Sequence, residues 1–350
     1  MRALTITPGQ ANSLAVTDVA DVTQSDDRLL VQGLLMGVCG TDHELNGGKY
    51  GWAPPGRSEL IIGHESLGRV VAAPADSGFS EGDLIAGVVR RPDPVPCMAC
   101  GHGAFDMCRN GQYTERGIKE LDGFGSQMWD IEPAYAVPVR ADVGESGVLI
   151  EPTSVVAKAW AEIEAVGERS WFAPQSVVIS GAGPVGLLAA LLGTQRELDV
   201  HVVDVVTDGP KPELVARLGA TYHSDEFENV LREVRPDVVI DTTGLSALLA
   251  AAMRELTPYR ITCLLGMHDA QRKTGIDLAT WGKTTVLDNG VVVGSVNANV
   301  QHWQQAADAL AAADPDWLRS LITRRVPLRS ALEAFQRADG DVKVVIDLQD

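Results

Sequence analysis

Positive charge is scarce in this chain of 350 residues: 29 Lys and Arg stand against 47 Asp and Glu, a formal net charge of −18. A surface of that sign repels a phosphate backbone or an anionic membrane, which argues against nucleic acid and membranes as partners. Acidity of this size also keeps a solvated surface soluble, so it excludes more than it suggests. Long apolar runs are missing too. The uncharged stretch 175–195 carries Gly181, Gly183, Gly186, Gly193 and Pro184, a pattern for a buried strand, a turn and a buried helix rather than a membrane span. The first residues, MRALTITPGQ, hold no apolar core of the kind a secretory signal needs, so a cytoplasmic location is expected. Cysteines number five, an odd count, and Cys97, Cys100 and Cys108 crowd into one loop. That spacing suits metal ligation in a reducing compartment better than disulfides. Cys263, in an apolar stretch, reads as core.

What is present is ordinary globular composition, 45% hydrophobic and 22% charged, at a length that predicts about two domains. The first half is rich in short β-type runs broken by glycine, at 29–31, 68–72 and 83–89, and reads as a β-rich domain. From about Val177 the rhythm becomes strand, turn, helix: strands at 177–180, 200–203 and 238–240, helices at 185–192, 212–218 and from about Ser246. That alternation is the sequence form of a doubly wound parallel sheet in an α/β fold. Further strands are expected at 262–266, 291–294 and 344–348, with an alanine-rich helix at 300–312. A helix around 153–160 is expected to join the two domains, and Trp160, Trp281, Trp303 and Trp317 read as core or interface. No repeat or low-complexity tether separates the halves.

Gly181-Ala182-Gly183-Pro184-Val185-Gly186 follows an apolar strand and opens an apolar helix, the context in which G-x-G-x-x-G marks a dinucleotide site. The first glycine permits the tight turn, and the second lets a pyrophosphate approach the backbone. The third lets helix and strand pack closely, while the helix N-terminus faces the phosphates. Asp204 ends the next strand, 204 − 186 = 18 residues on, where a carboxylate accepts hydrogen bonds from the adenosine ribose hydroxyls. Val205 and Val206 follow it, so no guanidinium stands ready for a 2′-phosphate, and a preference for NAD over NADP is expected.

Cys39-Gly40-Thr41-Asp42-His43, then Gly63-His64-Glu65, then Glu151-Pro152 supply a thiolate, an imidazole and carboxylates. These are the donors of a catalytic zinc that keeps one position open to substrate. Taken with the loop at Gly181, the chain resembles the zinc-dependent medium-chain dehydrogenases along essentially its whole length. Within them it is most similar to the microbial glucose (aldose) 1-dehydrogenase branch. The segments that carry the likeness are GVCGTDHE from Gly37, GHESLGRVV from Gly63, the three-cysteine loop, and Leu149-Ile150-Glu151-Pro152. Glu115-Arg116-Gly117-Ile118 with Leu121-Asp122-Gly123-Phe124, and Gly294-Ser295-Val296-Asn297, point to the sugar branch.

The resemblance implies a GroES-like, β-rich catalytic domain from 1–160 and 295–350, with a Rossmann cofactor domain at 161–294 inserted between them and substrate in the cleft. It implies that Cys39, His64 and Glu65 hold or surround the catalytic zinc, with Glu65 one shell out as an alternative. Glu151 is a further ligand or a water-mediated neighbour. It makes Thr41 the hydroxyl that passes a proton outward, with a capping hydroxyl in a turn as the plainer alternative. His43 extends that relay or faces solvent. Glu115, Glu151 and Asn297 match positions that hydrogen-bond sugar hydroxyls, whereas Val89 stands where an asparagine usually contacts the sugar. A structural zinc lobe is also implied, normally four thiolates; here Asp93 stands in the first ligand's place beside Cys97, Cys100 and Cys108. His102 or Asp106 are alternative fourth ligands, and an empty lobe is a further one. Gly181, Gly183, Pro184, Val185, Gly186 and Asp204 would bind the cofactor, and Thr242 and Gly244 would line its nicotinamide side or simply form a strand-to-helix turn. The expected activity is hydride transfer from a sugar hydroxyl, at aldose C1 with a lactone as product, to NAD. The alternative is a polyol, cyclitol or secondary-alcohol dehydrogenase using the same zinc site. A homo-oligomer, dimer or tetramer, is expected.

Overall fold

Glycine-broken apolar runs in the first half form strands that close on the end of the chain. The computed structural model describes residues 1–267 and 275–350 and divides into two units, one of Met1–Ser154 with Asn297–Asp350 and one of Val155–Val296. The helix Ile150–Gly167 runs unbroken through the first boundary. No change of local pattern marks the crossing, and the division implied by the resemblance stands six residues later, at 160/161.

The first unit is built on a seven-stranded sheet. Its central strand Leu29–Val38 pairs antiparallel with Glu65–Ala72 on one side and with Lys343–Asp347 on the other. The register sets Gly37 opposite Glu65 and Val38 opposite Val344. Residues more than 270 apart in sequence, Glu65 and Lys343 (343 − 65 = 278), are thereby brought to the end of one strand, just before Cys39. A side chain at Gly37 would bring its Cβ within 1.9 Å of Glu65 Oε2, so this position admits only glycine while Glu65 stays where it is. Leu29, Val31, Val70, Ile85, Phe124 and Ile131 close the core beneath, and the Phe124 ring meets Trp129 edge to face at 4.7 Å.

The second unit is a six-stranded, wholly parallel sheet. Its order is Thr221–His223, Asp199–Val203, Ser176–Ser180, Val238–Asp241, Ile261–Leu264, Val291–Gly294. Numbered along the chain this is 3-2-1-4-5-6, and the order reverses between Ser176–Ser180 and Val238–Asp241. Ligands of such sheets bind outside the carboxyl ends at that reversal. Strands covered on both faces read as unbroken apolar runs, as VVIS and VVID do here, and Val178, Val239, Phe227 and Leu231 share one core cluster. Cys263 is fully buried, as expected of a core thiol. Of the four tryptophans expected in core or interface, Trp160, Trp303 and Trp317 are buried, and Trp281 is half-buried.

Candidate active site and cofactor loop

Cys39 follows the central strand and caps the helix Gly40–Asn46, where its backbone N–H donates to Asp42 Oδ2 at 3.0 Å. Its Sγ lies 2.9 Å from His64 Nε2. Cys39, His64 and Glu65 each offer a ligand atom within 4.8 Å of the others, one of two such clusters among the described residues. His64 is buried, and its Nδ1 has no hydrogen-bond partner but faces the buried Asp42 Oδ1 at 3.5 Å. Burial pulls the imidazole's pKa down; the Cys39 sulfur and the Asp42 carboxylate reverse this and set it well above the ordinary value. A half-buried thiol with a buried imidazole and carboxylate converging at this spacing form the donor set of a tetrahedral zinc, so the residues present fit the metal that the sequence implied.

Glu65 does not stand free. Lys343 Nζ donates to both of its oxygens, at 2.7 and 2.6 Å, and to the Val38 carbonyl at 3.2 Å. Lys343 comes from the last strand and escaped the sequence analysis; only the pairing of chain end with chain start reveals it. Glu151, the second residue of its helix, lies outside the three-residue cluster. Burial pushes its carboxyl up to about 7, with His64 opposing and Glu65 adding to the rise. Thr41, in the first turn after Cys39, is half-buried, and its hydroxyl has no protein partner among the described residues. His43 packs edge to face on Phe335 at 5.5 Å.

Glu115 and Asn297, 182 residues apart, meet directly: Asn297 Nδ2 donates to Glu115 Oε1 at 2.7 Å. Arg90 donates to the same oxygen from Nε and Nη2, at 3.1 and 3.0 Å, and its guanidinium lies 3.8 Å from the Tyr113 ring centroid. Asn297 adopts a left-handed backbone (φ 61°), tolerated by asparagine, and Val89 is buried beside this pair's strand.

The second cluster is Cys97, Cys100 and Cys108. The backbone N–H of Arg109, followed by that of Cys100, draws the Cys97 thiol down to about 6. Among the candidate fourth ligands, His102 is exposed with Nδ1 on the Met98 carbonyl at 2.7 Å, and Asp106 Oδ1 accepts from Asn299 at 3.1 Å. Asp93 lies outside the cluster. One of its oxygens accepts from the Val95 N–H at 2.8 Å, and the other is buried without a partner.

In the second unit each glycine of the loop has its own surroundings. Gly181 has φ 93° and its N–H donates to the Val203 carbonyl at 2.7 Å. A Cβ on Gly186 would lie 1.9 Å from the Gly181 carbonyl oxygen, whereas a Cβ on Gly183 would meet nothing within 4 Å. Pro184 and Val185 open the helix Pro184–Thr194, with the proline in its first turn. Asp204 Oδ2 accepts from the Ala182 N–H at 2.7 Å and from Lys211 Nζ at 3.0 Å. Burial raises this carboxyl, but the Ala182 N–H and the Lys211 ammonium outweigh it and hold the pKa below the usual range. Lys211 is a cation that inspection of positions 205 and 206 missed, because it reaches back from the next helix. A cavity of about 370 Å³ opens here, lined by Gly181, Asp204, Val205, Asp225, Phe227 and Leu245. Thr242 donates its hydroxyl to the Ser180 carbonyl at 2.6 Å, tying the two central strand ends together. A Cβ on Gly244 would strike the Met267 carbonyl at 2.2 Å.

Comparison with known proteins follows the same division. Residues 25–141 match the family described as Alcohol dehydrogenase GroES-like domain, and residues 144–348 match Glucose dehydrogenase C-terminus. The chain is 36% identical to the glucose 1-dehydrogenase of Thermoproteus tenax over 100% of both chains. It is 34% identical to that of Methanocella arvoryzae over 99% of both. Among solved structures it resembles the Haloferax mediterranei glucose dehydrogenase in complex with NADP, Zn and gluconolactone, with a TM-score of 0.90 and 29% identity over 99% of both chains. Full-length matches of this kind leave no segment of the fold unaccounted for, and the chain belongs to the zinc-dependent medium-chain dehydrogenase/reductase family, in its glucose dehydrogenase branch.

Proposed function

We propose that this chain is a zinc-dependent sugar dehydrogenase that oxidises an aldose at C1 to a lactone with a nicotinamide cofactor. The observation that carries it is the cluster of half-buried Cys39 with buried His64 and Glu65, with Cys39 Sγ 2.9 Å from His64 Nε2, in a chain that also holds an open glycine loop. Full-length likeness to glucose 1-dehydrogenases supports the substrate class. Cys39 and His64 hold the zinc, with Glu65 and Glu151 as ligand or neighbouring carboxylate. When bound, the zinc supplies Lewis acidity that eases loss of a proton from the sugar hydroxyl, and the nicotinamide receives the hydride.

The chain's own residues do the rest. Lys343 clamps both oxygens of Glu65 and keeps that carboxylate from swinging. The Thr41 hydroxyl, two residues after Cys39 and without a protein partner, accepts the proton and passes it toward solvent. Glu115 and Asn297 accept and donate hydrogen bonds to the sugar's hydroxyls and so fix which carbon presents its hydrogen. The N–H groups at the start of Pro184–Thr194 take the pyrophosphate, and Asp204 receives the ribose hydroxyls. NAD is the preferred cofactor on this assignment, with Lys211 lowering the penalty for a 2′-phosphate; the Haloferax mediterranei relative is one in complex with NADP. Asp93 is the fourth ligand of a second, structural zinc at Cys97, Cys100 and Cys108, an assignment supported by its partnerless buried oxygen. The buried, apolar Val89 favours a second substrate reading at one point: it removes a polar anchor and leaves room for a deoxy or amino sugar or a cyclic polyol.

Among the described residues the strand Val291–Gly294 ends the parallel sheet with one edge unpaired, and Val292 on it is exposed. An exposed apolar strand edge invites pairing with a second copy, so we take the protein as a homo-oligomer. Free thiols clustered as metal ligands suit a reducing compartment and support a cytoplasmic location; no helix among the described residues is long and apolar enough to cross a membrane.

The test is cofactor reduction by zinc-replete protein across aldoses, deoxy and amino sugars and cyclic polyols, with a chelated control. Aldose turnover that the chelator abolishes, and that Cys39→Ser and His64→Ala abolish while the cofactor still binds, is expected. Full activity in both variants refutes the assignment; turnover of polyols alone moves the substrate to the alternative reading.

A further inference from the structure

Tyr50 and Trp52 stand 38% and 45% exposed, side by side, with ring centroids 5.0 Å apart at 75°. Large aromatic side chains left half in water cost hydrophobic burial, so an adjacent pair calls for an explanation. This pair is held on a built frame. The Trp52 N–H donates to the Ile118 carbonyl at 3.0 Å, and the Glu120 N–H donates to the Trp52 carbonyl at 2.9 Å. The segment so engaged is a tight turn that begins at Glu115, where the N–H groups of Glu115 and Lys119 each donate to the other's carbonyl at 2.8 and 2.9 Å. Between the two rings Gly51 has φ 104°, and a Cβ there would strike Leu45 Cδ2 at 2.5 Å, so the turn presenting the rings is possible only with glycine. Leu45 lies on the helix that Cys39 caps. The charge of Glu115 reaches the Tyr50 phenol: burial first, then Glu115 and Tyr113, raise its pKa.

The backbone pairing thus fixes an apolar, partly wet wall on the turn that begins at Glu115, the buried carboxylate already joined to an asparagine. A pyranose has this same division, with hydroxyls around its edge and C–H bonds on its faces. We propose that Tyr50 and Trp52 are specificity-determining residues that receive the C–H face of a neutral pyranose whose hydroxyls Glu115 and Asn297 hold. The proposal rests on the sugar assignment made above for those two polar residues. It names a neutral ring because the Arg90 guanidinium of this region is already committed to Glu115 through Nε and Nη2 and to the Asp106 carbonyl through Nη1, rather than to a phosphate.

The experiment is steady-state kinetics of the full-length, zinc-replete enzyme and its Tyr50→Ala, Trp52→Ala and Trp52→Phe variants on the best aldose. It is joined to 19F NMR of protein labelled with 5-fluorotryptophan, in which loss of a resonance in Trp52→Phe assigns position 52. The aldose KM is expected to rise about tenfold or more in each alanine variant, with kcat within about threefold and cofactor KM unchanged, and to return toward the parent in Trp52→Phe. The Trp52 resonance is expected to shift as aldose is added. An aldose KM within about twofold of the parent in both alanine variants overturns the proposal. So does a raised KM with an unmoved resonance, which makes the wall structural. Glu115→Gln separates the premises: aldose KM unchanged there but raised in Trp52→Ala removes the hydroxyl assignment and leaves the wall, and a parent enzyme that oxidises no aldose removes both.

Discussion

Gly183 and Gly186 sit three residues apart in one loop, yet alanine at the two positions is expected to do opposite things. At Gly186 a Cβ falls 1.9 Å from the Gly181 carbonyl oxygen and 2.9 Å from its carbon. These are backbone atoms, and Gly181 is itself pinned by its bond to the Val203 carbonyl, so the helix must move off the strand. Such overpacking costs about 1–3 kcal/mol, of which about 1 kcal/mol is offset by alanine's better helix propensity. At the upper end of that range, which two backbone clashes demand, a net loss of about 2 kcal/mol lowers the melting temperature of a protein this size by roughly 3 °C. At Gly183 the backbone is extended (φ −79°, ψ −177°) and a Cβ meets nothing within 4 Å, so stability should stay within about 0.5 kcal/mol of the parent. The open space is where the pyrophosphate is placed, so Gly183→Ala should weaken cofactor binding about tenfold or more, at least 1.4 kcal/mol. Thermal melts without ligand, paired with cofactor titrations followed by nicotinamide fluorescence, read both quantities. A Gly183→Ala variant that binds cofactor like the parent refutes the cradle, and a Gly186→Ala variant that melts like the parent refutes the packing argument.

Lys343→Met should destabilise the enzyme by about 3–5 kcal/mol in denaturant titrations, because it strands the buried Glu65 carboxylate; an unchanged midpoint would show that the pair carries no such weight. Metal analysis should find about two zinc ions per chain in the parent and about one in Asp93→Ala. A variant that keeps the second ion moves the fourth ligand elsewhere, and a parent with one ion empties the lobe. Lys211→Ala should raise the preference for NAD over NADP, measured as the ratio of kcat/KM values, by about fivefold to tenfold, since Asp204 would then face the 2′-phosphate without its cation. An unchanged ratio removes Lys211 from cofactor choice.

Much of the architecture was legible because it rests on local signals. Strands expected at 177–180, 200–203 and 291–294 appear as Ser176–Ser180, Asp199–Val203 and Val291–Gly294, and the alanine-rich helix as Val300–Ala311. Each is an apolar run with its own turn or cap beside it. The strand Thr221–His223 and the helix Leu278–Asp288 escaped notice. The first has three half-exposed or exposed residues and the second buries none of its side chains, so neither prints a hydrophobic period.

The sequence by itself determined the donor types, the glycine loop and the family, because each is a matter of residue identity at short spacing. Only the tertiary structure decided which of those residues meet. The antiparallel pairing of chain start with chain end brought Lys343 to Glu65, and the turn after Asp204 brought Lys211 back upon it. Asn297 met Glu115 through an entire intervening unit of the chain. Contacts between residues tens or hundreds of positions apart depend on strand register and helix placement, which are set by the packing of the whole core. No local pattern encodes them.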